Sequence, residues 1–509
     1  MSYLKAGTEK ITSNLVKGIL DLHGNASLYE KSIHEDQGAW FFIIRNGIEK
    51  QLVVSSGESN ADISDFSGKR YKNGDIDYLV CGMSHKNADA IRKRFDFTRP
   101  VLIGKANSYG FGDRLGNAGP AHLRAVSQTK FRPVLAQQSI RELQRTGRTA
   151  EEVMDAATWS VFQEGYHDGF GADGDHLKNF NDIDLMVRAG FTMFTIDPSE
   201  YVQNEAKSMH EQKLDSAYQD LPWDEIEDTP DDFLHRYLDL SVKLRDGFTL
   251  SPGKAEIMQG MVKYGRVITH TRNLAEYITT TYPDHPAELE LSIDETDEPT
   301  TLFEHFLIVS ELDRLGVELV SLAPRFCGHF EKGVDFRGDL NQFRNEYKQH
   351  LAIAEMFGGY KLSIHSGSDK FSVYKVIGSL NLGAVHVKTA GTSYLEALRT
   401  VAVAAPDFFR EILKFSLKRF ETDKKTYHIS ADPKHIPDPD SLGDKELPGL
   451  LNDDDARQVL HVAFGSILSG DLPGAKGFKK RLMELLEKNE ELHEKYLVRH
   501  FEKHLEPFG

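Results

Sequence analysis

The chain has 509 residues, of which 40% are hydrophobic, so it is long enough for a large core and for more than one domain. Its net charge of −17 disfavours nonspecific binding of nucleic acid or of an anionic membrane. No apolar run reaches the length of about 18 residues that a membrane span needs, and the N-terminus lacks the apolar core of a signal peptide. With only two cysteines, no disulfide framework is expected, and a reducing cytoplasm fits best.

Residues 1–98 are predicted to form an N-terminal α/β cap. Asn46-Gly47 separates the apolar runs at 40–44 and 51–54, which is typical of a β-hairpin and its turn. A further strand is predicted at 77–81. This part of the chain contains no cluster of residues suited to chemistry.

From about residue 100, short apolar segments alternate with segments that have helical periodicity. Predicted strands lie at 101–107, 131–138, 170–176, 191–197, 287–295, 317–325, 361–368 and 384–391. Helices are predicted between most of them, for example at 139–146, 182–189, 301–315 and 340–356. Eight such strands indicate a (β/α)8 barrel over 99–395, with an open doubly wound sheet as the alternative. The barrel is favoured because ionisable residues follow many of the strands, at the end where barrels build their sites.

Two further segments complete the predicted architecture. Residues 200–286 are too long for a simple crossover and are predicted to be a helical insertion in the barrel. Residues 396–509 show apolar residues at helical spacing and are predicted to be a helical C-terminal region. The charged final helix is expected to pack on the barrel or on a partner subunit, so a homo-oligomer is compatible with the sequence.

Ionisable residues cluster at the ends of four predicted strands. These are Asp173, Asp175 and His176 after the third strand, Glu290, Asp294 and Glu295 at the fifth, Arg325, His329, Glu331 and Asp335 after the sixth, and His365 at the seventh. Strand alternation directs Glu290, Ser292 and Asp294 into the barrel, as it does His386 and Lys388 on the eighth strand. A carboxylate inside a barrel is costly unless it is paired or bound to a metal, so a buried ion pair is the structural alternative.

Imidazoles combined with carboxylates are ligands for Zn, Mn, Fe, Ni or Co. His176, His365 and Glu331 are therefore candidates for a divalent metal site with open positions, which could polarise a hydroxyketone as a Lewis acid. A single buried histidine is more often bonded to a backbone carbonyl, but these candidates follow neighbouring strands. The residues do not identify the metal.

Basic residues near the same strand ends could bind an anionic group of a small substrate. The candidates are Arg114, Arg325, Lys370 and Lys388, although any single such residue more often forms an ordinary surface or core ion pair. The polar turn that holds Ser366, Asp369 and Lys370 resembles the rim of an active site. The glycine-rich segment 111–122 matches no nucleotide-binding fingerprint, and no nucleophile motif is present.

Several long polar motifs together resemble the bacterial tagaturonate epimerase family. They are GFGADGDHLKN (169–179), FTIDPS (194–199), SIDETDEPTT (292–301), FEKGVDFRGDL (330–340), SIHSGSDKFSVY (363–374) and HVKTAGTSYLEALR (386–399). The resemblance implies a metal-dependent isomerase that interconverts tagaturonate and fructuronate in hexuronate catabolism. It also implies Asp175 as proton acceptor, a glutamate (Glu290, or else Glu295) as acid, and His176, His365 and Glu331 (or else His329) as metal ligands. The remaining predicted substrate-binding residues are Arg114, Asp294, Glu295, Arg325, Ser366, Asp369, Lys370 and Lys388.

The implied substrate favours a retro-aldol mechanism. The carbon that inverts lies two carbons from the ketone, so its hydrogen is not acidified, whereas breaking the adjacent carbon–carbon bond allows the aldehyde to rotate. A transient hydride transfer would need a nicotinamide fingerprint, and none is found.

We expect Asp175 to be ionised and the more deeply buried Glu290 to be protonated. The alternatives are a metal-dependent aldolase or an isomerase of a neutral ketose and, outside enzymes, a sugar-binding regulator, which would not require such costly interior charges.

Overall fold

The computed structural model describes residues 6–24, 26–55, 61–245, 247–470 and 472–509. The chain begins with α1 (Ala6–His23) and an antiparallel sheet of six strands, followed by α2 (His85–Arg94). The strands are β1 (Ser27–Leu28), β2 (His34–Asp36), β3 (Ala39–Asn46), β4 (Glu49–Ser55), β5 (Gly68–Asn73) and β6 (Ile76–Gly82). The predicted hairpin is formed by β3 and β4, and Gly47 in its turn has the positive φ of 67° that favours glycine.

The first half of a barrel follows. It consists of β7 (Ser108–Phe111), α3 (Gly119–Val126), β8 (Arg132–Ser139), α4 (Ile140–Thr146), α5 (Ala150–Glu164), β9 (Gly171–Leu177), α6 (Phe180–Arg188) and β10 (Met193–Ile196). The next segment leaves the barrel as α7 (Glu211–Gln219), α8 (Trp223–Ile226), α9 (Pro230–Leu238), the short hairpin β11 (Val242–Lys243) and β12 (Thr249–Leu250), and α10 (Lys254–Thr281). The barrel is therefore interrupted by a largely helical insertion.

The second half of the barrel and a helical region end the chain. The barrel elements are β13 (Glu288–Ile293), α11 (Leu302–Arg314), β14 (Ser321–Pro324), α12 (Leu340–Met356), β15 (Lys361–Gly367), α13 (Phe371–Leu380) and β16 (Val385–Thr389). The last helices are α14 (Thr392–Ala404), α15 (Pro406–Asp423), α16 (Asp454–Val462), α17 (Phe464–Leu468), α18 (Phe478–Lys488) and α19 (Glu490–Leu505). In the described residues, none of the helices is long and apolar enough to cross a membrane.

The eight barrel strands close on themselves in the order β7-β8-β9-β10-β13-β14-β15-β16, and every neighbouring pair is parallel. The predicted (β/α)8 barrel is confirmed, and the open sheet is excluded. The apolar residues of the strands, such as Leu291, Leu362 and Val387, are fully buried against the surrounding helices. The alternate residues point inward, so polar side chains fill the interior.

The predicted first strand at 101–107 is wrong. Val101 and Leu102 are 43% and 49% exposed, and the backbone N–H groups of Ile103 and Gly104 donate to the Glu288 carboxylate instead of to a neighbouring strand. The strand starts at Ser108, which pairs with His386. The apolar run VLI is thus a segment that crosses to the barrel rather than a strand within it.

The last long helix, α19, connects distant parts of the chain. At its start the Glu490 carboxylate accepts hydrogen bonds from Tyr29 (2.7 Å) and Arg45 (3.0 Å) of the N-terminal sheet region. Near its end His500 and His504 donate to Asp369 in the loop after β15. The helix therefore spans from the N-terminal sheet to a loop at the C-terminal mouth of the barrel.

Candidate active site

A single lysine at the centre of the barrel holds three carboxylates together. The Lys388 ammonium lies 2.6 Å from Asp173 Oδ2, 2.9 Å from Asp175 Oδ1 and 2.8 Å from Glu290 Oε1. It also donates to the Thr195 hydroxyl at 2.5 Å. Asp173 and Glu290 are fully buried and Lys388 is 4% exposed, so solvent screens these charges very little. The predicted inward direction of Glu290 and Lys388 is thus observed as an interior charge cluster.

The protonation states within this cluster agree with the expectation for Asp175 but not for Glu290. Burial would raise the pKa of Glu290, but the positive charge of Lys388 and the hydrogen bond from His365 hold it well below its usual range. The expectation of a protonated Glu290 is therefore wrong, because depth matters less than the cations that contact it. Asp175 is likewise held ionised against burial by His176 and Lys388. Burial instead raises the pKa of Asp173 to about 6 despite Lys388, with the charge of Asp175 adding to the increase.

His176, Asp294 and His365 converge at the mouth of the barrel. Each contributes a possible ligand atom, and these atoms lie within 4.8 Å of one another. The ring centroids of His176 and His365 are 5.2 Å apart. His176 Nδ1 lies 2.8 Å from Asp175 Oδ1, and His365 Nδ1 lies 3.2 Å from Asp294 Oδ1, but neither contact is aligned as a hydrogen bond. Both buried nitrogens are thus left without a hydrogen-bond partner.

His176 has a strained backbone conformation, which helps to direct its side chain toward His365. His176 has φ = 55°, in the left-handed region that non-glycine residues rarely adopt. The register of β9 against β10 also shifts here, since Gly174 pairs with Phe194 while Leu177 pairs with Ile196. A bulge of this kind reorients a side chain at the end of a strand. It turns the imidazole of His176 toward His365.

The donor set of this group fits a divalent cation. Two imidazole nitrogens and one carboxylate are typical ligands of Zn, Mn, Fe, Ni or Co, and within the described residues Nδ1 of each histidine lies near a carboxylate without forming an aligned hydrogen bond. The second nitrogen of His365 donates to Glu290 Oε1 at 2.8 Å, which fixes the ring and directs Nδ1 toward the shared centre. A carboxylate behind a ligand histidine is a common feature of metal sites.

Glu331 does not join this group. Its Oε2 accepts hydrogen bonds from the Ser430 hydroxyl (2.6 Å) and the Gln458 amide (2.9 Å), so its carboxylate faces the C-terminal helical region. His329 is exposed and pairs through its backbone with Arg337. The structure instead brings Asp294 to the two histidines, a residue that the sequence placed among the substrate-binding candidates.

The other expected substrate-binding residues are mostly occupied by the protein itself. The Ser366 hydroxyl donates to the Lys388 carbonyl at 2.6 Å. The Lys370 ammonium donates to the carbonyls of Glu331 (2.9 Å) and Val334 (2.6 Å), and burial lowers its pKa to about 7. The guanidinium of Arg325 donates to a backbone carbonyl, and Glu295 is exposed. Arg114, described below, has a buried donor without a hydrogen-bond partner, Nη1.

Asp369 belongs to a second buried cluster, which it forms with residues of the C-terminal helices. Its carboxylate accepts hydrogen bonds from Arg457 Nη2 at 2.6 Å, His500 Nε2 at 2.9 Å and His504 Nε2 at 3.0 Å. Asp369, His500 and His504 could hold an ion by distance alone, but both histidines already donate to the Asp369 carboxylate. The cluster is therefore explained as an ion-paired contact between the loop after β15 and the C-terminal helices. The spacing of four residues between His500 and His504 was the sequence signal that could have revealed it.

A closed (β/α)8 barrel with a polar, metal-compatible group at its C-terminal mouth defines a barrel enzyme. The sequence profile of tagaturonate epimerases matches residues 29–508, so the chain belongs to the tagaturonate epimerase family. It is 41% identical to a tagaturonate/fructuronate epimerase of Thermotoga maritima over 479 residues, covering 94% of this chain and 96% of the relative.

Solved structures agree with this assignment. The crystal structure of a fructuronate-tagaturonate epimerase from Cohnella laeviribosi superimposes with a TM-score of 0.89 at 38% identity, covering 98% of this chain and 99% of that one. A glycerol complex of the same enzyme gives a TM-score of 0.88, covering 99% and 100% of the two chains. The predicted family and the predicted barrel are both confirmed.

Proposed function

We propose that this protein interconverts tagaturonate and fructuronate as a divalent-metal-dependent epimerase of hexuronate catabolism. The observation that carries the proposal is the convergence of His176, Asp294 and His365 beside the interior charge cluster, in a chain of this family. The small sugar acid is the proposed substrate, and the cytoplasm is the proposed compartment. The latter is supported by two buried cysteines that form no disulfide.

His176, Asp294 and His365 would hold the ion. When bound, it would supply Lewis-acid stabilisation of negative charge developing at the ketone end of the substrate. Glu290 orients His365 through the hydrogen bond to Nε2, so its proposed role is to position a ligand rather than to donate a proton. Lys388 keeps Glu290 ionised for this task.

Asp175 is the proposed base. Its carboxylate is ionised, is 9% exposed and adjoins both His176 and Lys388, so it can accept a hydroxyl proton at the barrel mouth. Removing that proton allows the adjacent carbon–carbon bond to break, the aldehyde to rotate, and the bond to reform on its other face. Asp175 then returns the proton to the new hydroxyl, and the Lys388 ammonium compensates the charge at each stage.

The function is tested by incubating the purified protein with tagaturonate and a panel of Zn, Mn, Fe, Ni and Co ions, followed by chromatography of the products. Fructuronate should form, and exhaustive chelation should abolish its formation. No interconversion with any ion in the panel would refute the activity, and full turnover after chelation would refute the metal requirement. Running the reaction in D2O separates the mechanisms: retro-aldol chemistry leaves the hydrogen of the inverted carbon unexchanged, whereas direct deprotonation replaces it with deuterium.

A further inference from the structure

A group of buried donors without partners lies beside the barrel mouth, where α16 and α17 cover the loops after β7 and β16. His461 is completely buried, and neither of its ring nitrogens has a hydrogen-bond partner. Arg114 is 4% exposed and donates to Glu142 through Nε, but its Nη1 is unpartnered. The Tyr394 hydroxyl is also buried and unpartnered. Phe464 connects the group, since its ring lies 3.6 Å from the Arg114 guanidinium carbon and packs against Tyr394.

A lysine extends this group across the mouth. In the described residues Lys332 has no hydrogen bond or ion pair for its ammonium, and its side chain lies directly over Gly367. A Cβ on Gly367 would come within 2.7 Å of Lys332 Nζ, and one on Gly391 would come within 2.0 Å of His461 Nε2. Because the Gly391 N–H donates to the Gly367 carbonyl at 2.9 Å, the two glycines are adjacent. Lys332 and His461 therefore cover neighbouring backbone segments at the ends of β15 and β16.

The charge of this region is unbalanced. Arg114 is paired with Glu142 and Arg457 with Asp369, but within the described part of the chain Lys332 forms no ion pair, and the Lys370 ammonium donates to three backbone carbonyls. Burial and the nearby charges of Arg114 and Lys332 lower the pKa of His461 well below its usual range. Buried donors and positive charge without an anion are unfavourable. A bound anion would accept hydrogen bonds from these donors and would balance the positive charge.

The position suits one end of a sugar acid. Gly367 follows His365 by two residues across a register shift in β15, so the two Cα atoms lie at most roughly 7 Å apart. In an extended hexuronate the carboxylate carbon lies four bonds from the ketone carbon, roughly 5 Å at ordinary bond lengths. We propose that Lys332, His461 and the free Nη1 of Arg114 bind the substrate carboxylate while the ketone end lies at His176 and His365. This inference rests on the proposed function, since it assigns a subsite for a uronate.

Such a subsite has a consequence for the proposed reaction. Breaking the carbon–carbon bond yields an aldehyde fragment that carries the carboxylate, and that fragment must rotate without leaving. An anchor on the carboxylate would retain it while its carbonyl turns. Lys332, which is only partly buried, is the member that can be changed without disturbing the core.

The test compares Lys332→Met with wild type on tagaturonate and on tagatose, the neutral ketose in which a hydroxymethyl group replaces the carboxylate. Loss of a charged hydrogen bond should lower kcat/KM for tagaturonate roughly 10- to 100-fold and leave kcat/KM for tagatose unchanged. His461→Gln should act in the same direction. Lys480→Met is the matched control, because Lys480 is 82% exposed on α18 and its loss removes the same charge from the C-terminal helices.

A binding measurement keeps this inference separate from the activity. Calorimetric titration of metal-free protein with glycerate and with glycerol should show at least about tenfold weaker glycerate binding in Lys332→Met, with glycerol binding unchanged. Equal losses on the acid and the neutral ligand, or no loss on either, would overturn the carboxylate subsite. If wild type fails to convert tagaturonate yet binds glycerate through Lys332, the proposed function is wrong and the anion subsite stands.

Discussion

Replacing Lys388 with methionine should show how much the lysine ammonium stabilises the fold by neutralising the interior carboxylates. Methionine has a similar length, so the change removes the ammonium and leaves Asp173, Asp175 and Glu290 facing one another. At 2.8 Å, Coulomb's law with an effective dielectric constant of 20 gives about 6 kcal/mol for one such pair. Carboxylate repulsion and the desolvation of Lys388 offset much of the attraction. We therefore expect the free energy of unfolding to fall by about 3–5 kcal/mol, the usual loss when one partner of a buried pair is removed.

The decrease in the free energy of unfolding should become larger as pH increases. Without Lys388, the pKa values of the three carboxyl groups in the folded state should rise above their unfolded values. A folded state that binds more protons than the unfolded state becomes less stable as pH increases. The difference between Lys388→Met and wild type should therefore be larger at pH 8 than at pH 6, because at pH 6 the carboxyl groups of the variant retain more of their protons. Asp173 should be among them, since its pKa is already about 6 with Lys388 in place and rises further without it.

Urea unfolding of metal-free protein at the two pH values measures this effect. Lys361→Met is the matched control, because Lys361 is also a fully buried barrel lysine but its Nζ has no hydrogen-bond partner. Burial lowers the pKa of Lys361, so removing its amine should change stability by no more than about 1 kcal/mol. Equal stabilities of the Lys388 and Lys361 variants at pH 8 would refute the assignment of Lys388 as the group that neutralises the cluster.

Three other changes test separate parts of the structure. Asp294→Asn should lower metal affinity and turnover by 10-fold or more, whereas the control Glu331→Gln should retain its metal. Metal analysis after dialysis measures the retained ion. If Glu331→Gln lost the metal and Asp294→Asn kept it, Glu331 would be the ligand instead. Glu290→Gln should weaken metal binding about 10- to 100-fold by freeing His365, and unchanged affinity would contradict that role. Asp369→Asn should lower the free energy of unfolding by about 3 kcal/mol. Because the pKa of Asp369 is held well below its usual range, that loss should be present at pH 7 and shrink as pH falls below about 4; a loss independent of pH would show that its charge is not the stabilising feature.

The strands that the sequence predicted well are those with a strong alternating pattern. At β13, Leu289, Leu291 and Ile293 alternate with Glu290 and Ser292, so both the strand and its inward face followed from periodicity. At β7 the pattern fails because its inward residues include Gly110, where a side chain would collide with Gln137. The nearby apolar run VLI supplied a stronger but misleading signal.

The choice among ligands could not be made from spacing. Asp294 and Glu331 both follow barrel strands, and only the three-dimensional path of the loop after β14 turns Glu331 toward Ser430. The protonation of Glu290 was equally inaccessible, because it depends on Lys388 from a strand nearly one hundred residues away in sequence. Lys332 lies within the FEKGVDFRGDL motif, but neither it nor His461 carried a sequence signal for anion binding, because the two residues come close together only in the folded chain.

Helix α19 also determines when the barrel mouth can finish folding during synthesis. In the loop that follows the His365 strand, Asp369 is contacted by His500 and His504, which lie 131 and 135 residues later in the chain. Glu490 of the same helix pairs with Arg45, from the first tenth of the chain. Contacts of such large sequence separation form late, because long loops must close first. Growing chains therefore expose an unfinished barrel mouth until α19 has been synthesised, and a truncation that removes α19 leaves Asp369 paired with Arg457 but without its two histidine contacts.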